Sequence, residues 1–266
     1  MTQETLSIRA GDAQIAVKLK GEGPALLLVH GFPFDHTMWK HQLAGLGGWR
    51  RIAPDLRGAG ASSAPSGGYS VARYAEDLVA VLDELDVHEA VVCGLSMGGY
   101  ILFELLRRYP ARVRAAVLCD TKAEPDDADA KRGRDELIDV TRRHGPGAVA
   151  ERLVPKLLAP QTLAGQPDVV RHVWEMIRRV PVAGMIGALE ALRDRPDSRP
   201  TLGTIRVPVL VVGGEEDVIA PRAGMEAMTA AIRGARFVPV PEASHLAPLE
   251  QPLAATRALA EFLSGL

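Results

Sequence analysis

The chain has 266 residues, of which 47% are hydrophobic, and its 31 basic and 33 acidic side chains give a formal net charge of −2. This balance offers no basic excess for nucleic acid or for an anionic membrane surface, so we predict neither partner. The polar N-terminal segment and the lack of any apolar run long enough to cross a bilayer argue against a secretion signal and a membrane span. We therefore expect a cytoplasmic protein.

Strand and helix patterns alternate in the first third of the chain. In order, they predict an edge hairpin at 6–9 and 14–20, a buried parallel strand at 25–29, a short helix at 38–46, a strand at 51–54, and a helix at 71–85 that Ser70 caps. Asp55 and Arg57 follow the strand at 51–54. We interpret them as a salt bridge within their own loop rather than as an active-site pair.

The segment His30-Gly31-Phe32-Pro33 directly follows the buried strand at 25–29. Gly31 permits a sharp turn, which leaves the N–H of Phe32 free to point away from the strand ladder toward a reacting oxygen. We interpret His30 as a buried histidine that braces this loop through hydrogen bonds, and not as a catalytic group.

Residues 91–100 have the pattern of an apolar strand, a sharp turn and the start of a helix, with Gly94-Leu95-Ser96-Met97-Gly98 at the turn. This is the G-x-S-x-G pattern of a nucleophile elbow, in which small flanking residues let strand and helix backbones approach closely and expose the serine hydroxyl. The N-terminus of the helix directs free N–H groups at the place where an oxyanion forms. We predict Ser96 as nucleophile and the N–H groups of Phe32 and Met97 as the oxyanion hole.

A helical region interrupts the alternation after a predicted strand at 113–119. From Thr121 to about Thr201 the apolar residues recur at helical spacing, and prolines at 155, 160, 167 and 181 are expected to divide the segment into short helices. Because this segment is too long for a loop, we predict a helical cap at 121–201, inserted in a core of 1–120 and 202–266. Its large apolar side chains form either the cap's own core or a substrate pocket, for which the candidates are Trp174, Met176, Ile177, Met185 and Leu189.

Two further chemical groups follow strands near the C-terminus. Asp217 comes after a buried strand at 207–214, and His245 comes after a strand at 236–240. Parallel strands end at one edge of a sheet, so these two loops and the Ser96 turn can converge. A serine hydroxyl needs an imidazole to take its proton and a carboxylate to orient that imidazole, which predicts a triad of Ser96, His245 and Asp217. Glu215 and Glu216 remain alternatives for the acid.

Taken together, these motifs resemble those of the α/β-hydrolase superfamily, and the resemblance extends from the first strand to the last helix. The segments that carry it are the elbow 94–98, the oxyanion loop 30–32, Asp55-Leu56-Arg57-Gly58, residues 213–221, and Ser244-His245 followed by Pro252. The resemblance implies an α/β fold with a mostly parallel sheet of about eight strands, helices on both faces and a helical cap. It also makes Asp120 a further alternative for the acid. Ala59 departs from the pattern, because many relatives have histidine there.

We therefore predict a serine hydrolase that cleaves a small or medium uncharged carboxylic ester through an acyl-enzyme. The alternatives are a lactone or enol-lactone hydrolase, a cofactor-free perhydrolase with the same triad, and a non-catalytic ligand receptor on the same fold. The sequence has no dinucleotide or P-loop motif and no cluster with metal-ligand spacing, so we predict no cofactor and no metal. Cys93 and Cys119 are expected to be reduced core thiols. No oligomeric state is predicted.

Overall fold

A computed structural model describes residues 3–266, and eight strands within them form one sheet in the order β1-β2-β4-β3-β5-β6-β7-β8. The strands are β1 (Gln3–Ala10), β2 (Ala13–Lys20), β3 (Ala25–Val29), β4 (Arg50–Pro54), β5 (Ala90–Leu95), β6 (Val113–Cys119), β7 (Val209–Gly214) and β8 (Arg236–Val240). The first two form an antiparallel hairpin at the edge, and β2 pairs antiparallel with β4. All other pairs are parallel, which confirms the predicted α/β fold.

The central strands are buried on both faces. Every residue of β5 and β7 is buried, because these apolar segments lie in the middle of a sheet that helices cover on its two sides. Cys93 and Cys119 lie in this core as free thiols, as predicted, with their sulfur atoms 3.7 Å apart. None of the helices in residues 3–266 is both long and apolar enough to cross a membrane.

Helices connect the strands and also fill the long interval between β6 and β7. They are α1 (Lys40–Gly45), α2 (Val71–Glu84), α3 (Met97–Arg108), α4 (Ala128–Leu157), α5 (Pro160–Gly165), α6 (Pro167–Arg179), α7 (Val182–Arg193), α8 (Arg199–Leu202), α9 (Arg222–Ala230), α10 (Ala247–Glu250) and α11 (Pro252–Leu263), with 3-10 turns at His36–Trp39 and Pro110–Arg112. The Ser70 hydroxyl accepts the N–H of Arg73, so Ser70 caps α2 as predicted.

Helices α4 to α8, residues 128–202, are called the helical insert below. The predicted prolines at 160, 167 and 181 do stand at helix starts, but Pro155 divides nothing and lies inside α4. The break in α4 is at Gly145 instead, where φ is 74° and ψ is −180°. Only glycine adopts this conformation readily, and Pro146 then begins the second half of the helix at a position where no N–H donor is needed.

The helical insert is in backbone contact with the core. Gly184 of α7 lies against Gly58 in the loop after β4, and a Cβ atom placed on Gly184 would be 2.0 Å from the Gly58 carbonyl oxygen. Two facing glycines therefore let α7 approach this loop more closely than any side chain would permit. The approach places one face of the insert beside the C-terminal edge of the sheet, where the predicted site residues lie.

The predicted salt bridge between Asp55 and Arg57 is wrong. Arg57 is fully buried and binds both carboxylate oxygens of Asp77 on α2, at 2.6 and 2.7 Å. The planar guanidinium of Arg57 matches the two oxygens of the Asp77 carboxylate in this orientation. Asp55 instead accepts hydrogen bonds from nearby donors. Asp55 accepts hydrogen bonds from His36 and from the N–H of Ala61.

Candidate active site

Ser96 occupies the turn between β5 and α3, with φ 52° and ψ −111°. A residue with a side chain rarely adopts this conformation, so the surrounding structure must hold it. The close packing that does so requires glycine: a Cβ atom on Gly94 would lie 2.3 Å from the carbonyl oxygen of Gly98. The Ser96 N–H donates to the Cys119 carbonyl at 2.9 Å, and the Thr121 hydroxyl donates to the Ser96 carbonyl at 2.8 Å.

The three residues of the predicted triad lie in one line of hydrogen bonds. The Ser96 hydroxyl oxygen is 2.8 Å from Nε2 of His245, and Nδ1 of His245 is 2.8 Å from Oδ2 of Asp217. With a carboxylate on Nδ1, the neutral ring carries its proton there and presents Nε2 as an acceptor to the serine hydroxyl. The other oxygen of Asp217 accepts the N–H groups of Ile219 and Ala220. All three side chains are at most 9% exposed.

The alternative acids have other partners. Glu215 pairs with Arg222 at the surface, and Glu216 accepts from the Gln161 side chain. Asp120 is fully buried, and its Oδ1 accepts the N–H of Gly214 at 2.8 Å. Burial raises the pKa of Asp120 well above its ordinary value, and the neighbouring charge of Asp217 raises it further. Among the described residues, Asp217 alone places its carboxylate on His245.

The loop after β3 lies directly beside the serine. A Cβ atom on Gly31 would be 3.2 Å from the Ser96 Cβ, so the N–H groups of Phe32 and Met97 are close to the nucleophile. Within residues 3–266 neither N–H group donates a hydrogen bond, which leaves both available to an oxyanion. His30 donates from Nδ1 to the Gly31 carbonyl, at 2.8 Å, and accepts the Leu56 N–H at Nε2.

Burial lowers the pKa of His30 and keeps its ring neutral, which suits this pair of hydrogen bonds. The ring thus joins the loop after β3 to the loop after β4. This geometry agrees with the predicted bracing role.

Two supporting residues were missed from the sequence. Thr121 anchors the elbow from the end of β6, as described above. Glu250 is buried, and its carboxylate accepts the N–H groups of Ser244, Leu246 and Ala159, so it fixes the loop that carries His245 and connects it to the helical insert. Burial raises the pKa of Glu250. The sequence signal for this role was a single acidic residue at the end of the short apolar segment 246–249.

A small cavity adjoins the oxyanion loop. It extends from Phe32 and Met97 along residues 56–59, and the helical insert closes it with Val180, Gly184 and Ala188. The space open to the centre of a water molecule is about 10 Å³. Ala59 is part of its wall.

The five pocket candidates lie elsewhere in the helical insert. Met176, Ile177, Met185 and Leu189 are at most 1% exposed, Trp174 is partly buried, and none of the five lines this cavity. Their role in substrate binding stays a prediction.

Three potential metal ligands meet beside the oxyanion loop, although their sequence spacing did not indicate it. One ligand atom from each of Asp35, His36 and Asp55 lies within 4.8 Å of the other two. Their atoms already bind protein donors. Asp55 accepts from Nδ1 of His36 at 2.7 Å, and Asp35 accepts from Thr37 and from Arg179 of α6. Burial alone would lower the pKa of His36, but the bond to Asp55 outweighs it and raises this pKa. We assign these residues to bracing the loop.

Comparisons with known proteins agree with this fold. The sequence matches a family model described as alpha/beta hydrolase fold over residues 24–252. A thermophilic esterase from Thermogutta terrifontis is 38% identical, with a TM-score of 0.94 over 100% of this chain and 99% of that chain. The enol-lactonase from Burkholderia xenovorans LB400 is 28% identical, with a TM-score of 0.91 over 98% of this chain and 100% of that chain. The 3-oxoadipate enol-lactonase 2 of Acinetobacter baylyi is 29% identical over 258 residues, which are 97% of this chain and 95% of that protein.

Proposed function

The chain belongs to the α/β-hydrolase fold family and is an enzyme that acts on ester bonds, and we propose that it is a serine hydrolase for small or medium uncharged carboxylic esters. The observation that carries this proposal is the line of hydrogen bonds from the Ser96 hydroxyl through His245 to Asp217, each 2.8 Å long. This arrangement supplies an activated nucleophile and a general base in one contact.

In the proposed first half-reaction, the Ser96 oxygen attacks the ester carbonyl carbon while Nε2 of His245 takes the hydroxyl proton. The carbonyl oxygen, as it becomes negatively charged, accepts hydrogen bonds from the N–H groups of Phe32 and Met97, which need no reorganisation because no acceptor within residues 3–266 holds them. Asp217 keeps the ring oriented and stabilises its positive form. His245 then gives the proton to the leaving alkoxide, and an acyl-enzyme on Ser96 remains.

The second half-reaction reverses these roles. A water molecule takes the place of the alcohol, His245 removes its proton, and the resulting attack on the acyl carbon releases the carboxylic acid and restores the Ser96 hydroxyl. The same residues at the same distances serve both halves, so the mechanism needs no further group from the chain.

An uncharged substrate suits the surroundings of the site. Among the described residues that line the cavity, Arg57 is the one cation, and Asp77 binds it with both oxygens, so its charge is already compensated. The remaining wall is mostly glycine, alanine and larger apolar residues.

Lactone hydrolysis is the second candidate, and the two enol-lactonases among the relatives favour it. A lactone is a cyclic ester, so the same attack and proton transfers open its ring, but the leaving oxygen stays attached to the acyl group. Initial rates on a matched pair, one open-chain ester and one lactone of equal carbon number, distinguish the two activities.

We also propose that residues 121–201 act as a cap over a core of residues 1–120 and 202–266. Support comes from contacts of the helical insert with the site: the His245 N–H donates to the Leu157 carbonyl at the end of α4, and Ala159 donates to Glu250. These contacts place the insert against the loop that carries the proposed base.

The direct test is Ser96→Ala with p-nitrophenyl acetate and butyrate as substrates. By analogy with other serine triads, we expect kcat to fall by about 10⁴- to 10⁶-fold while the circular dichroism spectrum is unchanged. A fluorophosphonate probe should label the wild-type chain at Ser96, as located by mass spectrometry. Retention of about a tenth of the wild-type activity by Ser96→Ala would contradict the assignment of the nucleophile. Release of a single equivalent of p-nitrophenol by the wild-type chain, without further turnover, would indicate a receptor.

A further inference from the structure

We propose that Glu250 is a positioning residue for His245, and that through Glu250 the helical insert takes part in holding the general base in place for proton transfer. This inference rests on the proposed function and adds to it a role for the insert in the chemical step. Glu250 acts through the backbone of the loop 244–246 and not by contact with the reacting atoms.

The loop that carries His245 has three consecutive N–H groups that bond to Glu250 or to the insert. Oε1 of Glu250 accepts the N–H of Ser244 at 2.8 Å and that of Leu246 at 3.3 Å. The N–H between them, that of His245 itself, donates to the Leu157 carbonyl at 3.2 Å. One carboxylate oxygen and one carbonyl of the insert therefore fix the backbone at the general base and on both sides of it.

The second oxygen of Glu250 binds the insert directly. Oε2 accepts the N–H of Ala159 at 2.7 Å, and Ala159 lies between α4 and α5, two residues after Leu157. The insert segment 157–159 thus supplies an acceptor for His245 and a donor for Glu250. The loop and this segment form one hydrogen-bonded unit with Glu250 at its centre.

Burial makes this unit depend on all of its donors. Glu250 is 1% exposed, and the partners of its carboxylate among the described residues are N–H groups and not a cation. A buried carboxylate without a cation is costly unless its oxygens are hydrogen-bonded. Movement of the insert away from the loop would leave Oε2 without its donor, so the carboxylate holds the two segments together.

The position of the loop matters for the reaction because it places the His245 ring. Nε2 is 2.8 Å from the Ser96 hydroxyl and Nδ1 is 2.8 Å from Asp217, and proton transfer requires contacts of this length. A misplacement of about 1 Å costs up to about 10²-fold in rate. Loss of either side of the Glu250 unit should therefore lower kcat, while the oxyanion loop stays as it is and KM changes little.

The first test is Glu250→Gln. The amide keeps the shape but has one acceptor oxygen, so its NH₂ group must face the N–H groups of the loop or that of Ala159. We expect kcat on p-nitrophenyl acetate to fall about 10- to 100-fold, with KM changed by less than about twofold. The rate constant for fluorophosphonate labelling of Ser96 should fall similarly, because that attack also needs His245 to take the hydroxyl proton.

A matched control is Glu104→Gln on α3. Glu104 is also buried, and it pairs with Arg107. The same chemical change there should leave both rates near those of the wild-type chain, even if the melting temperature falls.

The second test is a substitution on the insert, Ala159→Pro. Ala159 has φ −64° and ψ 150°, and Leu158 before it has φ −118° and ψ 144°, so the backbone already suits a proline. Proline removes the N–H and places a ring carbon where Oε2 of Glu250 binds. We expect a loss of kcat of the same size. Ala128→Pro, at the exposed first residue of α4, is the control and should keep the wild-type kcat.

The outcomes separate this inference from the proposed function. If the wild-type chain neither turns over any ester nor reacts with the fluorophosphonate probe, the proposed function fails and this inference fails with it. If the wild-type chain is active but Glu250→Gln and Ala159→Pro only lower the melting temperature or only raise KM, Glu250 is structural and the inference alone is wrong. Equal losses in Ala159→Pro and Ala128→Pro would also overturn it. Should Glu250→Gln fail to fold, the two proline variants decide the question.

Discussion

The carboxylate that orients His245 illustrates how the position of one residue decides its role. Three acidic residues follow β7 in succession, and they face different surroundings: Glu215 meets Arg222, Glu216 meets Gln161, and Asp217 meets His245. Two backbone N–H groups on Oδ1 fix the Asp217 carboxylate so that Oδ2 is directed at the ring. The difference between a surface ion pair and a proposed catalytic group is thus one of backbone placement and not of residue type.

This arrangement predicts unequal effects of amide substitution. Asp217→Asn should lower kcat by about 10⁴-fold, because an amide on Nδ1 favours the wrong tautomer of His245 and does not stabilise its charged form. Glu215→Gln and Glu216→Gln should change kcat little and serve as controls one and two residues away. Steady-state kinetics on p-nitrophenyl acetate measure all three. A larger loss at either glutamate would transfer the acid role to that residue.

Asp120 leads to a prediction about pH and stability. Burial and the charge of Asp217 raise its pKa above the ordinary value of 3.8, so the folded chain keeps this carboxyl protonated in a range where the unfolded chain ionises it. Its contribution to stability is therefore complete below about pH 4 and is lost as the pH rises toward the folded pKa. Asp120→Asn keeps the shape and removes the titration. The free energy of unfolding of this variant, relative to wild type, should increase between about pH 5 and about pH 8 in urea titrations.

A constant difference between the two chains over this pH range would show that Asp120 ionises in the folded protein much as it does in the unfolded one. Activity assays on the same variant add an independent check of the acid assignment. Asp120→Asn should leave turnover near that of wild type, because the His245 ring binds Asp217.

Much of the site could be predicted from residue order alone, because each group has its own local signal. Ser96 follows a glycine-flanked turn, and Asp217 and His245 each follow a buried strand. Partners far apart in sequence gave no such signal. The bidentate bond of Arg57 to Asp77 depends on how α2 packs against the sheet, and the hold of Glu250 on the His245 loop depends on the position of α10. Pairwise contacts of this kind follow from tertiary packing, which a local pattern does not contain.

At the scale of elements, the junction between the helical insert and the elbow helix is a buried ion pair. Asp126 precedes α4 and Arg195 follows α7, each is 5% exposed, and their side chains pair at 2.5 Å. The Arg195 guanidinium also lies 4.4 Å from the ring centre of Tyr100 in the first turn of α3. Burial alone would raise the pKa of Asp126, but the charges of Arg134 and Arg195 outweigh it and lower that pKa. The pair therefore joins the segments just before α4 and just after α7 to α3, the helix that follows Ser96.

Removal of one partner should be costly. Arg195→Met leaves the Asp126 carboxylate buried beside Arg134 alone, and we expect the free energy of unfolding to fall by about 3–5 kcal/mol. Arg142→Met is the control, since Arg142 pairs with Asp139 on the exposed side of α4 and such surface pairs contribute about 0–1 kcal/mol. Urea denaturation of both variants provides the comparison. Equal, small losses would mean that the buried pair does not hold the insert in place.

Helix boundaries in the insert show where sequence signals succeed and where they compete. Pro160 and Pro167 start helices because the first turn of a helix needs no N–H from proline. Pro155 carries the same signal but lies inside α4, and the break occurs at Gly145. In α4 a glycine, whose φ is unrestricted, is followed by a proline, which favours the start of a helix. This pair determined where the helix breaks, whereas the lone Pro155 did not break it.

At the scale of the whole molecule, one continuous apolar core includes both the sheet and the insert. Val173, Met185 and Leu189 of the insert belong to the same buried cluster as the strand residues Val92 and Val211. Val180 and Ala188, which line the cavity, belong to this cluster as well. Core and insert should therefore unfold together.

Because Met185 belongs to this cluster and does not line the cavity, we expect Met185→Ala to affect stability and not selectivity. Met185 is fully buried and does not line the cavity, so its truncation should lower the free energy of unfolding by about 2–5 kcal/mol in a single cooperative transition. The acyl-length profile of kcat/KM should match that of wild type, and the fluorophosphonate probe should still label Ser96 at temperatures where the variant is folded. Trp174→Ala tests a second candidate, which is only partly buried and also does not line the cavity. A shifted acyl optimum in either variant would instead place these side chains in the substrate pocket, because loss of packing alone reduces the amount of folded enzyme equally for every ester.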